Sequence, residues 1–260
     1  MIIEYWLDQS VPMIFGLLTL ALALTGAASL ALFESRWTRG WVAASSGVVA
    51  PFFTAVAVLF SLLTGFAAND AWERVRQANR AVLAERDGLV ALYDVSLAAS
   101  PDMAPIRATV IRYLEAVMVD EWPLMRDGRT APSATAAFSE LLAELAKPSL
   151  SASAGLAVHE TLLASWQKVR AARSDRVVLS EQFSDHPKWW TIFVLAVLTQ
   201  VALALVHIGK PIPAAVAISL FTVAAVVTLS LVAVKERPFD GPLATPPTAL
   251  AEALAELRKN

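Results

Sequence analysis

A chain of 260 residues that is 57% hydrophobic, with a mean hydropathy of +0.56, is too apolar for an ordinary soluble domain, where apolar residues make up roughly 45–50%. A net charge of −2 argues against a strongly nucleic-acid-binding surface, and the absence of cysteine excludes a disulfide, a thiol nucleophile and a thiolate metal site. The apolar runs cluster at residues 11–68 and 189–234 and the middle is rich in Arg, Glu and Asp, the distribution of a membrane protein with an aqueous insert.

Residues 1–10 carry Glu4 and Asp8 but no Lys or Arg, unlike the positive flank of a signal peptide. The run Val11 to Phe33 is therefore expected to be a retained first span. Ala23, Ala27 and Ala31 recur every four residues, a spacing that permits close helix approach in lipid or that simply reflects abundant alanine. A polar link, Glu34 to Gly40, holds Arg36 and Arg39, with Trp37 and Trp41 suited to the membrane interface. The second span, Trp41 to Ala68, exceeds the roughly 20 residues a bilayer needs, so it is expected to tilt, kink or project, with Pro51 as the kink. It turns polar at Asn69 and Asp70 and continues from Trp72 with Glu73, Arg74, Arg76 and Arg80. Gly65 is isolated and no proline stands between Pro51 and Pro101. One long helix is therefore expected to cross the bilayer and run on into a water-soluble domain.

The insert, residues 69–187, reads as all-helical. The first helix should break at Ser100-Pro101. A second is expected from Pro105 to Trp122, stopped by Pro123 and Asp127-Gly128, and a third from Ser133 to Ala146, ended by Pro148. The last, Ser151 to Phe183, should lead almost directly into the third span, and its Leu156, His159, Leu162, Leu163, Trp166 and Val169 form a helical packing face. The third span is Trp189 to His207, anchored by Lys188 and Trp189-Trp190. A tight turn, Gly209-Lys210-Pro211, leads to the fourth, Ile212 to Val234. A cytoplasmic tail, residues 235–260, ends in a short amphipathic helix, Pro247 to Lys259. The expected parts are thus two transmembrane pairs, 1–68 and 188–234, with the insert between them and the tail behind.

Basic residues set the topology. Arg74, Arg76, Arg80, Arg86, Arg170, Arg173, Arg176, Lys188, Lys235 and Arg237 lie on the side shared by the termini and the insert, against Arg36, Arg39 and Lys210 in the short loops. Both termini and the insert are expected in the cytoplasm.

Within the second span, Thr54, Ser61 and Gly65 share a face, Phe53 and Phe60 lie beside it, and Thr64 adds another hydroxyl. Such a face either lines a pore that gates by dewetting or packs on a neighbouring helix with its hydroxyls bonded back to the backbone. Four spans cannot enclose a conduit alone, so a pore requires a ring of subunits. No ionisable residue sits well inside a span, which argues against proton-coupled transport and pumping; His207 reads as interfacial. Asp70, at the span exit, either contributes to an acidic ring or pairs with Arg74 or Arg237. The pairing with Arg237 would clasp the tail, Phe239 included, to the second helix. His159-Glu160 lacks a second His four residues on, where Leu163 stands, and the three His are scattered. There is no nucleophile elbow and no phosphate loop, so neither an enzyme nor a metal or cofactor site is expected. Trp72, Trp122 and Trp166 are expected in the insert's core or at a subunit contact.

Three motifs recur in order. They are Gly65-Phe66-Ala67 with Asp70 and Trp72, then Tyr113-Leu114-x-x-Val117-x-x-x-Glu121-Trp122, then Arg237-Pro238-Phe239-Asp240-Gly241. With two spans before the insert and two after, the chain resembles the bacterial bestrophin-like family and, more distantly, the bestrophin anion channels. The resemblance implies an all-α membrane protein with four transmembrane helices and a cytoplasmic helical insert between the second and third spans. It also implies a homopentameric ion channel in the bacterial plasma membrane, permeated passively through an apolar neck on the second span, with anions slightly favoured. Its neck would fall at Pro51-Phe52-Phe53 and Phe60, and the expected pore-lining set is Phe53, Thr54, Phe60, Ser61 and Thr64. Eukaryotic bestrophins bind calcium through an acidic run after Pro-Phe-Gly; Asp240 stands alone here, so no clasp of that kind is expected. Partners would be other copies of the chain, membrane lipid and ions, with no nucleic acid. The alternative is a non-conducting anchor or sensor whose insert binds a protein.

Overall fold

The computed structural model describes residues 2–34, 49–99, 103–181, 185–241 and 243–259, and these are helical throughout, joined by turns. In chain order the helices are α1 (Ile2–Leu7), α2 (Val11–Glu34), α3 (Val49–Ala99), α4 (Ala104–Ala116), α5 (Trp122–Met125), α6 (Pro132–Leu145), α7 (Pro148–Ala154), α8 (Leu156–Glu181), α9 (His186–Val206), α10 (Pro211–Val234) and α11 (Thr248–Leu257), with a π-helical turn, Val117–Glu121, joining α4 to α5. Four of them are long and apolar enough to cross a membrane: α2, α3, α9 and α10. The expected continuity of the second span with the insert is present as the 51-residue α3. Pro51 sits in the first described turn of α3, and the expected start at Trp41, with the link bearing Arg36, Trp37 and Arg39, lies outside the described residues.

The chain divides into two compact units, Met1–Glu73 with Ser184–Glu236, and Arg74–Phe183 with Arg237–Asn260. The first holds the four spans. Its core joins Ile14, Leu18 and Leu22 of α2 to Phe60 and Ala67 of α3, Ile192 and Ala196 of α9, and Ala225 and Leu229 of α10. The helix α1, unforeseen in the sequence, is tied in by Trp6, whose Nε1 donates to the Ile14 carbonyl at 3.0 Å and whose ring meets Trp189 edge-on at 5.1 Å. Close approach of α2 to α10 occurs at Gly26, where an added Cβ would come within 2.8 Å of Ile218 Cγ2. Ala23, Ala27 and Ala31 face outward instead. The third span starts at His186 rather than Trp189, because the Asp185 side chain caps it by accepting from the Lys188 amide at 3.2 Å and Pro187 fits the first turn.

The second unit packs α4, α6, α8, the lower part of α3 and α11 around Leu89, Leu92, Val110, Leu114, Leu141, Leu145, Leu162 and Leu250. Two expected boundaries move. Pro123 does not stop the helix, because the π turn ends beside it and Pro123 falls in the first turn of α5, where its missing N–H is not needed. The stop comes at Gly128, at φ +64°, whose amide closes onto the Met125 carbonyl at 3.1 Å. The expected single helix from Ser151 is two, because Gly155 adopts φ +85° and separates α7 from α8. Pro148, expected only to end a helix, also begins one.

Candidate functional site

The membrane part of α3 has two unlike faces. Val56, Phe60, Thr64, Ala67 and Ala71 follow helical spacing and turn into the unit, while Phe52, Thr54, Val58, Ser61, Leu62, Gly65, Phe66 and Asn69 are exposed. Only 22% of the most apolar stretch of α3 is buried, against 39% for α9 and for α10. With 28% for α2, this span is, among the described residues, the one its own chain covers least.

The expected pore-lining residues separate accordingly. Thr54 and Ser61 are exposed, Phe53 is half-buried, and the three line a shallow groove of about 510 Å³ with Ala57, Val58 and Leu62. Phe60 and Thr64 belong to the packed face. Phe60 meets Phe221 of α10 edge-on at 5.3 Å, and the Thr64 hydroxyl is buried with no hydrogen-bond partner.

At the span exit, Lys188 Nζ donates to Asp70 Oδ2 at 3.1 Å and to Glu236 Oε1 at 2.8 Å, drawing the middle of α3, the start of α9 and the end of α10 together. Glu236 is 1% exposed, and its second oxygen has no partner. Lys235 lies 6.0 Å from the Trp72 ring, a cation–π contact. The expected clasp residues fall in different units. Within its own unit Asp70 pairs with Lys188, while Arg237 Nη1 reaches Asp240 Oδ2 at 3.3 Å and Phe239 packs edge-on against Trp122 at 5.8 Å.

The insert centres on a buried ionic network. Arg176 donates from Nε to Glu85 Oε2 at 2.6 Å, from Nη2 to Glu85 Oε1 at 3.0 Å and to Glu121 Oε1 at 2.8 Å, and from Nη1 to Met125 Sδ at 2.9 Å. Arg173 completes Glu121 at Oε2, 2.7 Å away, and the Tyr113 hydroxyl donates to Glu85. The π turn brings Glu121 to this point, and Tyr113, Val117 and Glu121 of the second motif are all buried here. Burial opposes the charge of Arg176, but Glu85 and its hydrogen bonds outweigh it and hold the guanidinium protonated. Burial likewise pushes the Glu121 carboxyl up, yet Arg176 and Arg173 bring it below the usual carboxylate range.

Two features escaped the sequence reading. Gln200, wholly buried in α9, accepts from Thr25 Oγ1 at 2.6 Å and donates to the Leu22 carbonyl at 2.8 Å and to Thr222 Oγ1 at 3.0 Å, linking three spans. Its signal was a lone amide in an apolar run. By sequence, Arg176 and Arg173 count only as topology charges. Their spacing from Leu162, Trp166, Val169 and Ala172 places Arg176 on the buried face of α8. Among the described residues, no group of three or more His, Asp or Glu is placed to hold a metal ion.

A family model described as "Bestrophin-like domain" matches residues 20–250. The chain belongs to the bestrophin-like family. It is an integral membrane protein of the bestrophin-like fold, with a large helical insert between its second and third spans. Solved structures of a bacterial bestrophin homolog from Klebsiella pneumoniae agree in fold. One variant gives a TM-score of 0.70 at 14% identity over 95% of this chain and 99% of that one. A second variant gives 0.70 at 14% over 97% and 99%, and a structure phased with zinc gives 0.67 at 15% over 94% and 98%. No curated protein sequence matches.

Proposed function

We propose that copies of this chain assemble into a ring, a pentamer by the bestrophin resemblance, and form an ion channel whose axis is faced by α3. The observation that carries this reading is the uncovered face of α3. It is apolar through Val58, Leu62 and Phe66, is interrupted by the hydroxyls of Thr54 and Ser61, and bears no charge before Asp70. Such a surface wets weakly and passes ions only when wide enough to hydrate, which makes the conduit a passive, hydrophobically gated neck. Phe53, Thr54 and Ser61 are the lining candidates at the surface; Phe60 and Thr64 would act from behind, by setting where α3 packs. Anions are slightly favoured by the resemblance. The excess of basic residues on the side of the termini and insert supports a cytoplasmic placement of both in a bacterial plasma membrane.

Mass measurement in nanodiscs tests the ring directly, and a stable monomer would overturn it. With a ring in hand, bilayer recordings of wild type and Phe53→Ala test conduction, with a larger or less rectified current expected in the variant. Silence of both would leave a membrane anchor whose insert binds a protein.

A further inference from the structure

We propose that Trp72 and Lys235, side by side where α3 and α10 reach the membrane surface, form a headgroup site for an anionic phospholipid, with its phosphate on the lysine ammonium and its chains along the exposed flank of α10. That flank is Ile212, Val216, Leu220, Val223, Val227 and Leu231, which recur every three or four residues and are 44–77% exposed. On the other side of the same helix Ile218, Ala225 and Leu229 are buried in the unit. From Ile212 to Leu231 the flank runs about 29 Å at the α-helical rise, close to the roughly 30 Å of a bilayer's hydrocarbon core.

Lys235 is the next member of that series, one helical turn beyond Leu231. A cation at this point stands at the depth of the lipid phosphates, with its stem along the last of the apolar surface. Trp72 is 39% exposed, and its ring lies 6.0 Å from the Lys235 ammonium. The ring steadies the ammonium and is itself suited to the interface. Aliphatic flank, indole and ammonium thus follow one another in the order of acyl chain, glycerol and phosphate.

Charge narrows the lipid. The acids nearest in sequence, Asp70 and Glu236, both bond Lys188, and Glu236 is turned inward. Among the described residues Lys235 pairs with no carboxylate. A lipid phosphate is therefore its counter-ion, and no carboxylate beside it receives the ammonium of a zwitterionic headgroup. A free phosphate would take the lysine and leave the aliphatic flank unused. The site rests on the membrane placement of the chain and not on conduction.

The test uses the full-length protein in phosphatidylcholine nanodiscs doped with a phosphatidylglycerol that carries a diazirine near the carbonyl end of one acyl chain. Peptide mass spectrometry maps the adducts. Saturable labelling is expected between Val227 and Glu236 and between Ala68 and Glu73, displaced about fivefold better by phosphatidylglycerol than by phosphatidylcholine of the same chains, the worth of one lysine at an anionic surface. Lys235→Gln should keep the unfolding temperature and remove that preference, and Lys235→Arg should retain it. Equal displacement by the two lipids, or a preference that survives in Lys235→Gln, would overturn the proposal. So would glycerol 3-phosphate competing as well as the lipid, which makes the ligand a free phosphate. Labelling that appears only after the oligomer is dissociated would also overturn it, because a second copy then covers the surface.

Discussion

Arg176 and Glu85 form a two-pronged ion pair, Nε to Oε2 at 2.6 Å and Nη2 to Oε1 at 3.0 Å, with both side chains wholly buried. Removing one member leaves the other buried charge without its two-pronged partner, with the Tyr113 hydroxyl left to Glu85 or Glu121 left to Arg176, a loss of about 3–5 kcal/mol. Arg176→Met should therefore lower the thermal unfolding temperature of the purified protein sharply, and Glu85→Gln should do the same. The double variant should recover part of the loss, since a neutral pair leaves only Glu121 with Arg173. A double variant as unstable as the sum of the two singles would show that the pair is not energetically coupled.

The pH dependence of stability should have two limbs. Glu121 titrates below its ordinary 4.5 in the folded state, so its contribution is complete above 4.5 and is lost as pH falls through the folded value. Tyr113 is raised well above its ordinary 10.0, by burial first and then by the charge of Glu85. Its contribution is complete below 10.0 and is lost as pH rises through the folded value. Denaturation monitored from pH 3 to 11 should show both declines, and Tyr113→Phe should flatten the alkaline one. An unchanged alkaline limb in that variant would remove Tyr113 as its cause.

Lys188 is shared between Asp70 and Glu236 at the span exit. Glu236 is wholly buried at its side chain and Asp70 is 46% exposed, so the buried carboxylate should dominate the energetics. Lys188→Met should destabilise the protein by a few kcal/mol, Glu236→Gln should rescue most of that, and Asp70→Asn should rescue little. Equal rescue by both would contradict the burial argument. Denaturant titration in detergent reads all three.

Gln200 holds three spans with neutral hydrogen bonds. Each such bond in a membrane protein contributes about 0.6 kcal/mol on average, so Gln200→Leu should cost about 1–2 kcal/mol, the transfer of a polar group to an apolar one offsetting part of the loss. Gly26→Val should cost more, because its Cβ would sit 2.8 Å from Ile218 Cγ2 and 3.4 Å from Gln200 Nε2. Unfolding of the membrane unit in mixed micelles ranks the two, and the reverse order would place the weight on the amide.

Much of the helix count was legible because apolar runs and proline–glycine punctuation are local signals. The turn at Gly209 and the tail helix follow from neighbours in sequence; the expected break at Ser100-Pro101 lies outside the described residues. The boundaries that moved did so for reasons outside the local window. Pro123 reads locally as a breaker, but the π turn before it supplies a fresh start. Trp6, which carries no signal of its own in the sequence, finds its partner at Trp189.

The membrane character, the four spans, the long shared helix and the charge bias around them are set by composition and order along the chain, since bilayer insertion answers to hydropathy over about 20 consecutive residues. Which face of α3 is covered is not such a property. It depends on Phe221 and Ala225 from a helix more than a hundred residues away, so Phe60 and Thr64 look equivalent to Phe53 and Ser61 in the sequence and become different only when α10 packs against them. The same holds for Arg176, a topology charge by sequence and the centre of a buried network once Glu85 and Glu121 converge on it. Burial is a relation between distant segments, and only the tertiary structure decides it.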